Sequence, residues 1–393
     1  MNVLNKMVQF PLIFAQSAIL KLEKYQYETS ILRKWEQVSV DPAIIEKIKS
    51  ADKTHSNKQP VSSLPSTEQQ IISKIKQKKK LSNVNNITRT KAYLDFYEKH
   101  PEIHWALLAH LVSRNGGWNM TDLKGELSEV LHQTKKIDFF MFLETANALI
   151  FHDAYPQLLL YEESKKQGQN LFHLLPYFHV SSFMLPIWNH FFEYKDSKLL
   201  TISLIINEQH YIEERVIKNS IFQEKVLNTI LFQAQEFLQI TQVIFPFEWN
   251  ENNRMTGLSI SNFSSVSNRI EIGKKLYALL FGVSPLFEDI STFVRNTPHT
   301  GSRQDYWPNY YSTKKQKDTR KKIWSPLLEM AWPNINHSFT DSRDWFHHKD
   351  QKVYLFYKPV DLPPTIDITV ENYRKIQKIH LAILTYKNAK QLL

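Results

Sequence analysis

Glycine is almost missing from this chain. Only 8 of its 393 residues are glycine, where average usage would give roughly 27. Doubly wound sheets, barrels and sandwiches need glycine at tight turns and phosphate loops, because only a residue without Cβ takes up positive φ freely. So few glycines direct the chain toward helices. Material for a core is ample: 42% of residues are hydrophobic, with 24 Phe, 17 Tyr and 9 Trp. The length suits one large domain or two to three small ones. Cysteine is absent, which excludes disulfides, thiolate metal sites, iron–sulfur clusters and cysteine nucleophiles together.

The apolar pattern is helical almost throughout. Residues 102–115 are apolar nearly all round, with Ile103, Leu107 and Leu111 on one side and Trp105, Leu108 and Val112 on the other. A helix of that kind is buried on several sides. Asn115-Gly116-Gly117 reads as its left-handed stop. Residues 137–151, 199–218, 222–245 (with Pro246 as terminator), 261–281 and 366–384 are read as further helices. Only Val353–Tyr357 looks strand-like, and five residues do not make a sheet alone. The expected fold is an all-α, multi-helix body with long loops over 296–345 and an N-terminal helical extension. The polar composition of Ser50–Thr67 reads as a linker. The expected division is therefore a helical segment over 1–49, a linker over 50–67 and a main domain over 68–393.

Net charge is +10, and it is concentrated. Residues 1–100 hold 17 Lys/Arg against 9 Asp/Glu, and residues 314–322 hold six basic residues beside Asp318. The apolar stretch Val8–Leu20 has 13 residues broken by Pro11, Gln16 and Ser17. A spanning helix needs about 20. Only Lys6 precedes the stretch, and Ala15-Gln16-Ser17 is a poor cleavage site. The expectation is a cytoplasmic protein without a transmembrane segment.

Three runs stand out: Ile87-Thr88-Arg89-Thr90-Lys91-Ala92-Tyr93, then His104 through Ser113-Arg114-Asn115-Gly116-Gly117-Trp118-Asn119-Met120, then His299-Thr300-Gly301-Ser302-Arg303-Gln304-Asp305-Tyr306-Trp307-Pro308. In these runs the chain resembles the YppC-like proteins of spore-forming Gram-positive bacteria, a domain of unknown function, over residues 87–350. The resemblance implies an intracellular protein and carries no activity, cofactor or catalytic residue with it.

The last two runs hold the candidate site. Arg114, Asn115 and Asn119 follow a helix expected to be buried, beside two glycines that let backbone come close to a partner. Arginine offers five donors to a planar anion. His299, Ser302, Arg303 and Asp305 surround Gly301, where hydroxyls, guanidinium and backbone N–H groups resemble an anion nest. The expectation is a small anionic ligand bound in a cleft between segments 113–120 and 299–307. The competing reading is that the first cluster only caps a helix and the second satisfies itself beneath Tyr306 and Trp307.

Nucleic acid is the alternative partner, through Lys78, Lys79 and Lys80 in one basic run and Lys314, Lys315, Arg320, Lys321 and Lys322 in the other. The second run is flanked by Tyr306, Trp307, Tyr310, Tyr311 and Trp324, rings able to stack on bases beside phosphate-neutralising cations. A solvated lysine-rich loop, or an anionic membrane surface, would account for the same charges. A third reading is a hydrolase using His299 with Asp305, or a metal at His152-Asp153. The glycine and lysine usual after such a dyad are replaced by Ala154-Tyr155-Pro156. No metal site is assigned. No GxxxxGK(S/T) or GxGxxG loop is present, and no cofactor is implied.

Overall fold

Three residues after Pro101, the chain enters helix α5, His104–Asp122, and runs straight through Asn115-Gly116-Gly117. The expected stop is not there, and packing is the reason. A Cβ on Gly117 would lie 2.4 Å from Asn86 Oδ1 and 2.8 Å from the His299 ring. The residue is small because two side chains press on the helix at that turn.

A computed structural model describes residues 21–55, 64–126, 133–229, 242–249, 252–260, 262–315, 322–348 and 351–378. The stretch Val8–Leu20, much of the polar linker, and Arg320 and Lys321 lie outside them. Ahead of α5 come α1 (21–32), α2 (Pro42–His55), α3 (Ser66–Ser82) and α4 (Asn86–Lys99). After it come α6 (Gln133–Gln167), α7 (Met184–Tyr194) and α8 (Ser197–Ile212), which widens into a π turn over Glu213–Ile217. Later helices are α9 (Val266–Phe281), α10 (Ser284–Asn296) and α11 (369–378). The fold is predominantly α. No helix of the described residues is long and apolar enough to cross a membrane.

Local chemistry sets the helix starts. Asn85 and Thr88 form a reciprocal capping box at α4, and Asp196 accepts the Leu199 N–H at α8. Helix α6 continues past Pro156, although proline supplies no N–H to the His152 carbonyl. Burial of Phe151, Leu158, Leu159, Leu160 and Tyr161 on several sides outweighs that loss. The main core gathers around α5, α6, α7 and α8, where Trp105 and Trp188 are fully buried. Tyr27, Ile31, Ile45 and Ile48 from α1 and α2 belong to the same core.

Two expectations need correction. The helix read over 222–245 is not continuous. Residues 230–241 lie outside the described residues, and Gln242–Trp249 is a strand, β1, paired antiparallel with β2, Asn252–Ser259. Val243-Ile244-Phe245-Pro246-Phe247 favours a pleated, buried surface, and Pro246 sits opposite Met255. Gly257, at φ +145°, passes so close to the Val243 carbonyl that a Cβ would lie 2.0 Å from it. The expected strand at Val353–Tyr357 is a 3₁₀ helix, Gln351–Tyr357. Tyr354 and Tyr357, three apart, share one face and are both buried.

Candidate functional site

The three sequence runs converge. The capping box at the start of α4 turns Asn86 and Arg89 inward, and both are fully buried. Asn86 Nδ2 donates to the Ser113 carbonyl at 2.9 Å and to Ser113 Oγ at 3.0 Å. Arg89 donates to Asn147 Oδ1 at 2.7 Å, Asn83 Oδ1 at 3.0 Å and Glu144 Oε2 at 2.5 Å. This network joins α4, α5 and α6, and His337 closes it on the other Glu144 oxygen at 3.2 Å.

Segment 299–307 meets α5 on the same side. Arg114 Nη1 donates to the Thr297 carbonyl at 2.6 Å and Nη2 to that of Pro298 at 3.4 Å. Its guanidinium lies 4.9 Å from the Phe293 ring centre and 5.5 Å from that of Tyr306. Asn115 pairs with the strand backbone, donating to the Ile244 carbonyl at 3.0 Å and accepting its N–H at 2.8 Å. Asn119 is half-buried. Ser302 Oγ donates to the Ser325 carbonyl at 2.7 Å. Arg303 grips Asp122 with Nε at 2.8 Å and Nη2 at 2.6 Å, over the Trp118 ring. Burial works against the Arg303 charge, but Asp122 more than offsets it and holds the guanidinium protonated.

His299 illustrates what this arrangement can and cannot do. Its Nε2 lies 2.8 Å from Asn86 Oδ1, an acceptor because the amide nitrogen of Asn86 points to Ser113. The ring proton therefore sits on Nε2, and Nδ1 accepts the Gly301 N–H at 3.4 Å. Burial pushes the imidazole pKa down to about 4, with Asp305 offsetting part of the shift. Asp305 is 3.7 Å from Nδ1, while its oxygens accept from Thr300 N at 2.8 Å and Thr300 Oγ1 at 2.7 Å. This geometry makes His299 a neutral strut between α4 and the loop. Segments 113–120 and 299–307 thus touch, but Arg114, Asn115, His299, Ser302 and Arg303 pair with Thr297, Ile244, Asn86, Ser325 and Asp122 and do not line a solvent-open cleft.

The other sequence candidates scatter. Lys78 pairs with Glu162 at 3.1 Å, Lys79 Nζ lies 3.4 Å from His152 Nε2, and Lys80 is exposed. Lys314 and Lys315 are exposed, with Lys315 over Trp324, and Lys322 donates to the Pro308 carbonyl. Tyr306, Trp307 and Tyr311 are buried with Trp118 in a satellite core, and Tyr310 lies tilted against Tyr373. Burial withdraws those three rings from base stacking. His152 and Asp153 diverge: the imidazole meets Lys79, while Asp153 Oδ2 accepts from Gln157 at 2.9 Å and Asn207 at 2.5 Å.

Among the described residues, two open hollows stand apart from the contact of segments 113–120 and 299–307. One, of about 300 Å³, runs between α3, α4 and α6 and is lined by Lys78, Lys91, Lys99, Ser82, Tyr155 and Glu162, with Leu81, Ala92 and Phe96 as apolar wall. Its α4 residues (Thr88, Lys91, Ala92, Asp95, Phe96 and Lys99) recur at the spacing of one helical face. That pattern was in the sequence but had no contiguous run to announce it. The other hollow, of about 350 Å³, lies between the hairpin and α10, with Glu248 and Asp289 as its charged lining. Phe293 and Thr297 line it and also touch Arg114. The hollow nearest the expected anion cleft is therefore acidic.

Fold and geometry define a predominantly helical protein, tied together by a buried polar network and carrying two hollows of opposite charge character. Within that class the chain belongs to the family described as "Protein of unknown function (DUF2515)", which matches residues 82–360. It is 41% identical over 312 residues to the "Uncharacterized protein YppC" of Bacillus subtilis (strain 168), covering 79% of this chain and 93% of that protein. The resemblance read from the three runs holds over most of the chain. No solved structure matches it.

Proposed function

We propose that the protein binds a small anionic ligand, and that the groove between α3, α4 and α6 receives it in place of the contact between segments 113–120 and 299–307. The observation that carries this reading is the convergence of Lys78, Lys91 and Lys99 on one open hollow with the hydroxyls of Ser82 and Tyr155. Lys91 is paired with Asp95 at 2.5 Å and Lys78 with Glu162 at 3.1 Å. Exposed pairs of this kind are worth about 0–1 kcal/mol, so an incoming phosphate or carboxylate competes for the lysines at little cost. Glu162 keeps its charge: the His100 ring, its Nε2 3.6 Å away, helped by Lys78 and Lys99 and opposed by burial, holds its pKa down to about 2. The ligand's anionic end therefore belongs toward Lys91 and Lys99, its apolar part over Leu81 and Phe96.

The test is a thermal-shift screen at low salt with inorganic phosphate, nucleotides and di- and tricarboxylates. A ligand at 100 times its Kd adds about 2.7 kcal/mol of stability. The gain is expected to vanish in the Lys91→Ala/Lys99→Ala double variant and to persist in Asn119→Ala, whose half-buried side chain on α5 does not line the groove. An equal response in the double variant and the wild type removes the groove reading. Tight binding of a single-stranded oligonucleotide, falling steeply with salt, would move the assignment to the nucleic-acid alternative.

A further inference from the structure

Lys79 differs from its neighbours on α3 in what it meets. Lys74 and Lys78 form ion pairs with Glu163 and Glu162. One residue on, a rotation of about 100° turns Lys79 to another flank of α6, where it meets the imidazole of His152 with Nζ and Nε2 at 3.4 Å. Among the described residues it has no carboxylate in ion-pair contact. It is half-buried, whereas Lys76 and Lys80 on the same helix are exposed.

The charged and titratable groups around Lys79 come from three elements. Lys76 on its own helix repels its charge, Asp153 on α6 favours it, and His179, after the 3₁₀ helix Phe172–Phe178, lies near enough to feel it. Burial is the largest influence and, with Lys76, lowers the Lys79 pKa to about 8. Burial also holds His152 at about 3, with Lys79, His179 and Arg215 adding to the effect. Near neutral pH the imidazole is thus a lone-pair acceptor beside an amine that loses its proton readily.

We propose that Lys79 is a site of covalent acylation, its Nζ attacking the carbonyl carbon of a small acyl phosphate with His152 Nε2 beside it as proton acceptor. The N–C bond forms as the C–O bond to phosphate breaks. The phosphate leaves with the electron pair, and the amine proton passes by way of His152 Nε2 to the departing phosphate, which is released as hydrogen phosphate. The product is a neutral amide in a place where a charge is poorly solvated. This inference is independent of the groove ligand.

The experiment exposes the full chain to acetyl phosphate between pH 7 and 9 and quantifies acetylation of Lys76, Lys79 and Lys80 by peptide mapping. A larger free-amine fraction, tempered by the lower nucleophilicity of a less basic amine, predicts acylation of Lys79 at pH 8 about tenfold faster than of Lys80. The Lys79 rate is expected to level off near pH 8. In His152→Gln the Lys79 rate falls and the Lys80 rate does not. A Lys79 rate at or below that of Lys80 at pH 8, within the same wild-type molecules, overturns the site. An unchanged Lys79 rate in His152→Gln overturns the part given to the imidazole.

Discussion

Two buried polar centres in this molecule are built on opposite terms. Around Asn86 and Arg114 two carboxylates meet guanidiniums: Glu144 with Arg89 at 2.5 Å, Asp122 with Arg303 at 2.6 Å. Around Asp153 the carboxyl meets only amides, from Gln157 and Asn207, and its Oδ1 is buried without a partner. Burial, tempered by Asn207, lifts the Asp153 pKa to about 7. Glu208, accepting the Trp105 indole N–H at 3.2 Å, is lifted by burial to about 8. Glu208 is half-buried, and Asp153 is the more deeply buried acid of this centre. The first centre holds helices together with matched charges. The second keeps an acid near its neutral form. The sequence runs that mark the family lie in the first, and the strongly shifted carboxyls lie in the second.

The most severe way to break the comparison is to unmatch a pair in the first centre. Glu144→Ala leaves Arg89, fully buried, without its carboxylate, and His337 without its acceptor. Removing one partner of such a pair costs about 3–5 kcal/mol, because the remaining charge stays desolvated. Urea unfolding should show a midpoint shift of that size with an unchanged slope. A loss below about 1 kcal/mol would mean that water reaches Arg89 and that this centre is not the sealed network described.

Asp153→Asn tests the second centre and should act in the other direction. A carboxyl whose pKa is about 7 when folded and 3.8 when free binds more protons in the folded state between those values. Its ionisation therefore removes stability as pH rises from about 4 through 7, by an order-of-magnitude few kcal/mol. An amide of the same shape has no such penalty. The variant is expected to gain on the wild type at pH 8 and to match it near pH 4.5, read from paired thermal melts. His299, with its pKa held at about 4, has the opposite sign: its contribution is complete above pH 6.5 and declines as pH falls toward 4. The Asp153→Asn difference cancels that background. A pH-independent difference would place the Asp153 carboxylate in a better solvated site than its burial indicates.

The contrast also separates what was legible in the sequence from what was not. Scarcity of glycine and long apolar periodicity led correctly to a helical fold, because both depend on local chemistry. The hairpin was missed because Val243–Phe247 is a short apolar run, and such runs do not distinguish a strand from a buried helix. Arg114, His299 and Arg303 were visible as polar groups in an apolar setting. Their partners were not: Asn86, Asp122, Thr297 and Ser325 lie far from them in sequence, and only the fold reveals that donors and acceptors cancel. The lysine groove escaped notice for a related reason, since helices α3, α4 and α6 each contribute part of it.

Gly116-Gly117 offers the finest discrimination, because one dipeptide carries two different constraints. A Cβ at Gly117 would overlap Asn86 Oδ1 at 2.4 Å and the His299 ring at 2.8 Å, with both side chains held by hydrogen bonds. Gly117→Ala should therefore cost about 1–3 kcal/mol, as overpacking does elsewhere. At Gly116 the nearest atoms to a new Cβ are 3.9 Å away, ordinary contact. Inside a helix, alanine at that position should be neutral or add up to about 1 kcal/mol, because it limits the freedom of the unfolded chain. Two single variants, compared by urea unfolding, thus carry opposite signs from adjacent positions. If both destabilise alike, the pair ends a helix after all. If only Gly117→Ala does, the glycine is there for the closeness of α5 to Asn86 and His299, and the first centre owes its sealed geometry to a missing methyl group.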